Sequence, residues 1–204
     1  MSQPDPLVFI VEDDDAVRES ITWLISSVDL KVECFPSAAE FLDQCRPGQA
    51  GCLITDIRMP EISGLELQDE LNRRGCDIPV IVITGHGDVQ TAVRAMKAGA
   101  FDFIEKPFND QLLLDLVHRA VASSVESLRE QIEQAEVKSR IDMLTPREKQ
   151  VLDMISVGDS NKKIAHQLEI SEKTVEAHRA KVMSKMQAKS LAALVKMVIS
   201  MNQD

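Results

Sequence analysis

Aromatic side chains are scarce in this chain: one Trp, no Tyr and six Phe in 204 residues. Aliphatic residues and nine Met must therefore fill its interior. The four cysteines, Cys34, Cys45, Cys52 and Cys76, have no CxxC spacing, and the four histidines are scattered. Neither a disulfide framework nor a zinc site is indicated, and reduced thiols in a cytoplasmic protein are expected. No apolar run approaches the ~18 residues of a membrane helix, so no membrane association is expected. Residues 1–15 are acidic and lack the basic start and long apolar stretch of a signal peptide. Positive charge is also short: 23 Lys and Arg face 33 Asp and Glu, a net charge of −10. As a whole-chain average this speaks against a nucleic-acid binder, because phosphate contacts need bases.

What is present is ordinary for a soluble globular protein, at 44% hydrophobic and 27% charged residues. The length allows one large domain or two small ones. Splitting the charge favours two. Residues 1–124 carry 21 acids and 10 bases, whereas residues 141–204 carry 8 acids and 10 bases. The acidity belongs to the first part, and the second is mildly basic. Two modules with different partners follow.

The first part alternates short apolar runs, at 7–11, 31–35, 52–55, 80–84 and 103–104, with segments of helical periodicity such as Val17, Ile21, Leu24, Ile25 and Val28. Five such units predict an α/β doubly wound, flavodoxin-like parallel sheet, with ligands at the carboxyl ends of its strands. Residues 114–141 contain no Gly or Pro. There Val121, Val125, Leu128, Ile132 and Ala135 follow a 4-3-4-3 spacing, which suits either an exposed linker helix or a coiled coil joining two chains. After it, Thr145-Pro146-Arg147-Glu148 is a capping box with Pro at the first helical position. Helices over 161–168, from Glu172 to about Gln187, and after Ser190 complete a small four-helix all-α domain. The expected division is 1–122, a helical linker over 123–141, and 142–204.

Chemistry gathers at the predicted strand ends: Glu12, Asp13 and Asp14 after the first, Asp56 after the third, Thr84 after the fourth and Lys106 after the fifth. Each alone reads as a turn or cap, but together they share one edge of a parallel sheet. Packed carboxylates repel one another and invite a divalent cation, and oxygen-only donors favour Mg²⁺ or Ca²⁺ over zinc. A central Asp56 suits nucleophilic attack on a phosphoryl group, with Thr84 and Lys106 on the transferred oxygens.

These residues lie in the strings Ile10-Val11-Glu12-Asp13-Asp14, Thr55-Asp56-Ile57-Arg58-Met59-Pro60, Ile83-Thr84-Gly85-His86-Gly87 and Glu105-Lys106-Pro107-Phe108. With Ala92 to Ala100, they resemble the receiver domain of two-component response regulators of the FixJ branch over most of residues 5–120. The resemblance implies phosphorylation of Asp56 by a sensor histidine kinase. It also implies Mg²⁺ (or Mn²⁺) on Asp13, Asp56 and the backbone carbonyl of Arg58, with Glu12 acting through water. Many members have Asp where Glu12 stands. Phe103 falls at the family's switch aromatic, paired with Thr84, and core packing is its other reading. His86 reads as a loop residue at the pocket's border.

In the last part the segment 161–168, a turn at Glu169-Ile170-Ser171 and the helix from Glu172 have helix-turn-helix spacing. Ile164, Ala165, Leu168, Ile170, Val175, Val182 and Met186 fall inward. Ser171, Lys173, Thr174, Glu176, Ala177, Arg179, Ala180 and Lys181 fall outward or beside the groove. Lys162, Lys163, Lys173, Arg179, Lys181 and Lys185 are the candidate phosphate contacts, while Ala177, Ala180 and Glu176 can approach base edges. With Leu144-Thr145-Pro146-Arg147-Glu148, these strings resemble the LuxR/FixJ-type helix-turn-helix over about 142–201. Glu169 occupies a turn position where many relatives have Gly.

The resemblance implies a phosphorylation-activated transcriptional regulator: a homodimer once phosphorylated, acting on double-stranded promoter DNA with RNA polymerase as a further partner. It implies no enzyme beyond the receiver's own phosphoryl transfer and dephosphorylation. An aspartyl-phosphate phosphatase would want a second Asp two residues after the nucleophile, and Arg58 stands there. A sequestering protein without DNA binding is a third reading. A small-molecule-sensing LuxR-type regulator would need a ligand cavity instead of an acidic pocket.

Overall fold

The computed structural model describes residues 5–85 and 89–201, so His86 and the Gly87 beside it lie outside the described residues. Strands and helices alternate first as β1 (Leu7–Val11), α1 (Asp15–Ser26), β2 (Lys31–Phe35), α2 (Ala38–Gln44), β3 (Gly51–Asp56) and α3 (Gly64–Arg74). They continue as β4 (Val80–Thr84), α4 (Val89–Lys97), β5 (Asp102–Glu105) and α5 (Asp110–Asp142). The strands form one parallel sheet in the order β2-β1-β3-β4-β5. The central strands β3 and β4 are buried along their whole length, which is why they read as unbroken apolar runs. The edge strand β2 exposes Lys31 and Glu33. The order reverses between β1 and β3, and such a reversal opens a crevice at the carboxyl edge.

Alternating strand residues feed two apolar layers. Phe9, Val11, Leu53 and Val82 meet Phe41, Leu67, Leu71 and Ala95 on one face of the sheet. Val8, Ile10, Ile54, Ile81 and Ile83 meet Ile21, Ile25, Leu113, Leu116 and Val117 on the other. The few aromatics are concentrated: Phe41 lies 5.4 Å from both Phe9 and Phe35 between ring centres.

The chain divides after Arg129 into two compact units. The second holds the last turns of α5 with α6 (Pro146–Ser156), α7 (Asn161–Leu168), α8 (Glu172–Lys185) and α9 (Leu191–Met201). The predicted capping box is present, with Thr145 and Glu148 each bonding the other's backbone N–H. Glu169 takes the left-handed conformation, with φ of 56°. Of the 4-3-4-3 positions, Val121 and Val125 pack within the first unit, while Ile132 is half exposed. Two of the five positions are thus already covered within the chain.

All four cysteines are free. Burial pushes the Cys52 thiol up to about 12, and burial together with the neighbouring Cys76 does the same for Cys45. Cys34 is exposed on β2, with its sulfur 3.0 Å from the Thr22 hydroxyl. Among the described residues, no helix is long and apolar enough to cross a membrane.

Candidate functional site

Parallel register assembles the first site. Val11 pairs with Thr55, Asp56 with Ile83 and Thr84 with Glu105. Glu12, Asp56, Thr84 and Lys106 therefore stand at or just beyond the same sheet edge. Glu12, Asp56 and Thr84 are buried there. The Lys106 ammonium spans the two acids, donating to Glu12 Oε2 at 2.7 Å and to Asp56 Oδ1 at 2.9 Å. The other Asp56 oxygen accepts from the Arg58 backbone N–H at 2.6 Å. One side of the carboxylate is thus held by the following loop and the other by the lysine.

The electrostatics follow from that burial. Loss of water raises the pKa of Glu12, and the Lys106 hydrogen bond only partly opposes this. For Lys106 burial pulls the other way, yet its hydrogen bonds to Glu12 and Asp56 win and the ammonium is held more firmly than usual. Lys106 stays charged and needs both acids.

Two residues with no signal in the motifs shape the pocket. Arg18 on α1 donates to the Glu12 carbonyl at 2.7 Å and pairs with Asp15. Gly64, the first residue of α3, lies so close to the end of β3 that a Cβ there would be 2.3 Å from the Asp56 carbonyl oxygen. Gly64 follows Ser63, which caps α3 in a capping box with Glu66. Phe103 is partly buried and packs against the Phe41 layer.

Asp13, next in sequence to Glu12, is exposed at that edge, and among the described residues no three His, Cys, Asp or Glu side chains are grouped closely enough to hold a metal ion. Like charges repel, and the ammonium bridges the two acids that are buried. The donor chemistry still fits a hard divalent ion. Two buried carboxylates share a single ammonium, with a third acid next in sequence and only oxygen ligands.

In the second unit Ile164, Val175, Val182 and Met186 are fully buried, and Ala165 and Leu168 nearly so, as their spacing predicts. Ile170 packs against them. Ser171 caps α8, its hydroxyl accepting from the Thr174 N–H at 3.1 Å. Lys162, Lys163, Lys173, Thr174, Glu176, Ala177, Ala180 and Lys181 are exposed and Arg179 is half-buried. Lys163 pairs with Asp159 at 2.6 Å. Lys185 departs from expectation: it turns toward α6 and donates to Glu148 at 2.7 Å. A buried carboxylate outbids solvent for that ammonium, so it is not a free phosphate contact.

Residues 8–118 match the response regulator receiver domain, and residues 142–198 match the bacterial regulatory proteins of the luxR family. The chain belongs to the response regulators. Over 94% of its length it is 51% identical to the transcriptional regulatory protein FixJ of Azorhizobium caulinodans, covering 91% of that protein. It is 44% identical to FixJ of Rhizobium meliloti, with 96% of each chain covered. Among solved structures it is similar to the response regulator StyR, with a TM-score of 0.87 and 43% identity over 96% of this chain and 99% of that one. Full-length FixJ from B. japonicum gives a TM-score of 0.58 at 37% identity, with 98% of each chain covered. This response regulator is thus a transcriptional regulator with a receiver and a LuxR-type DNA-binding domain, and the acid–lysine pocket and the α7–α8 pair lie one in each.

Proposed function

We propose that Asp56 accepts a phosphoryl group from a sensor histidine kinase and that this switches DNA binding by α8. The observation that carries the reading is the Lys106 bridge between two buried carboxylates at the reversal point of the sheet. Asp56 Oδ1 attacks phosphorus as the P–N bond to the kinase's phosphohistidine breaks, the imidazole leaves, and an acyl phosphate forms on Asp56. Lys106 then transfers its hydrogen bond from Asp56 to a phosphoryl oxygen, and the Thr84 hydroxyl donates to another. Glu12, Asp13, Asp56 and the Arg58 carbonyl would hold Mg²⁺ or Mn²⁺, which supplies charge neutralisation at the transferred oxygens. Movement of Thr84 makes room for Phe103 to turn inward. The receiver face so altered pairs two copies, and two α8 helices reach adjacent major-groove half-sites.

On α8 and its flank, Lys162, Lys163, Lys173, Arg179 and Lys181 set the position on phosphates. Ser171, Thr174, Glu176, Ala177 and Ala180 face the groove. The receiver spans residues 1–122 and the reader 142–204. The regulator works in the cytoplasm as an activator that engages RNA polymerase, and it hydrolyses only its own acyl phosphate.

Incubation with acetyl phosphate and Mg²⁺, followed by intact-mass and gel-shift measurements, tests this. Wild type gains one phosphoryl group and retards an upstream DNA fragment at lower protein concentration, while Asp56→Asn does neither. Equal phosphoryl uptake by the variant overturns the assignment of Asp56. Equal retardation of wild type before and after treatment overturns the switch.

A further inference from the structure

The match to the luxR family begins at residue 142, but the packing of the DNA-binding unit begins earlier. Val137, on the penultimate full turn of α5, is 8% exposed and sits in one cluster with Leu144, Val151, Ile164, Val182 and Met186, with Ile141 packed beside them. Gln134 reaches the Ser200 carbonyl of α9 at 3.5 Å. Gln134, Val137 and Ile141 follow the i, i+3, i+7 spacing of a single helix face. A solvated connector would carry no such face.

The end of this face meets the recognition helix. Helix α8 closes at Met186, after which Gln187 turns left-handed with φ of 54°. The last carbonyls of a helix lack intrahelical donors and carry the negative end of its dipole. Arg140 Nη1 donates to the Met186 carbonyl at 3.5 Å, and its Nη2 is held at 3.1 Å by Glu136 one turn back. From the other side Lys185 reaches the Met143 carbonyl at 3.2 Å and Glu148 at 2.7 Å. Two cations thus fasten the carboxyl end of α8, one of them from α5.

We infer that the last turns of α5 are a working part of the DNA-binding unit and that Arg140 is a positioning residue for α8. It touches no DNA in this scheme. It fixes the tilt at which the outward residues of α8 enter the groove. The inference rests on the reading that α8 binds DNA. Sequence-specific binding needs that tilt, whereas phosphate contact without sequence preference tolerates a range of tilts. If loss of Arg140 leaves the correct tilt populated one-tenth of the time, specific affinity drops about tenfold.

The test uses the full chain, treated with acetyl phosphate and Mg²⁺. Fluorescence anisotropy is read on a duplex selected from a random pool by the wild type and on a scrambled duplex of equal composition. Arg140→Met, Arg140→Lys and the control Arg179→Ala are compared, with thermal melts of each. Arg140 is only partly buried, so Arg140→Met is expected to melt near wild type. It should lose about tenfold on the selected duplex and under twofold on the scrambled one. Arg140→Lys should recover much of the loss through a single hydrogen bond. An unchanged selected-to-scrambled ratio in Arg140→Met, while Arg179→Ala weakens binding, overturns the role of Arg140 alone. If neither substitution changes binding, the reading of α8 falls and this inference with it.

Discussion

Lys185 on α8 and Glu148 on α6 form a 2.7 Å ion pair, in which Glu148 also accepts from the Thr145 backbone N–H at 2.9 Å. The Lys185 hydrogen bond, aided by the Thr145 N–H, lowers the Glu148 pKa to about 2. A carboxyl group depressed in the folded state stabilises the fold above its unfolded pKa of ~4.3, and that contribution is lost as pH falls through the folded value. Glu148→Gln should therefore lower the stability of the second unit at pH 7 by about 1–3 kcal/mol. The gap from wild type should narrow between about pH 4.5 and pH 2. Thermal melts over that range check it, and a gap independent of pH would contradict it.

Lys106→Met leaves Glu12 and Asp56 buried together without their shared counterion. Phosphoryl uptake from acetyl phosphate should slow by about a hundredfold. The variant should also lose stability relative to wild type as pH rises, because Glu12, whose pKa burial raises, then charges without its Lys106 partner. Stopped uptake assays and a pH series of urea melts measure the two effects separately.

Gly64→Ala places a methyl group against the Asp56 carbonyl, and backbone atoms have no rotamer by which to yield. A cost of about 2 kcal/mol or more is expected. Phosphoryl uptake should fall as well, since the displaced backbone carries Asp56, the proposed phosphoacceptor. Urea unfolding together with the uptake rate decides whether the two losses travel together.

Glu169→Gly should act in the opposite direction. A left-handed backbone costs an L side chain about 1 kcal/mol and costs glycine almost nothing. Since Glu169 is exposed, its replacement should stabilise the second unit by up to about 1 kcal/mol. Anisotropy on the selected duplex should be unchanged, and a melt at pH 7 reads the gain.

The strand ends were legible because a parallel sheet turns spacing into position: once five units are counted, Asp56 and Lys106 must share an edge. The inward positions of α7 and α8 were legible for the same reason, through the helical period. Lys185 was not, because pattern alone cannot tell an ammonium that turns to a buried acid from one that faces phosphate. Gly64 gave no warning, since its constraint comes from the end of β3, eight residues earlier. The different burial of neighbouring Glu12 and Asp13, one buried and one exposed, was not legible either, because adjacency in sequence says nothing of exposure. The end of α5 was hidden by a change of supporting core: Val125 packs in the first unit and Val137 in the second. A single period fitted across both blurs two faces into one heptad-like stripe.

The thiol environments make this chain convenient to handle without any substitution. Maleimides react with thiolate, and thiols whose pKa is near 12 supply almost none of it at neutral pH. Cys45 and Cys52 are protected in that way, and Cys76 is shielded by burial. The exposed Cys34 on β2 should take a dye at a single defined place in the native regulator. A fluorophore so attached to the edge strand can report on kinase encounter while every residue of the pocket and of α8 remains as it is in nature.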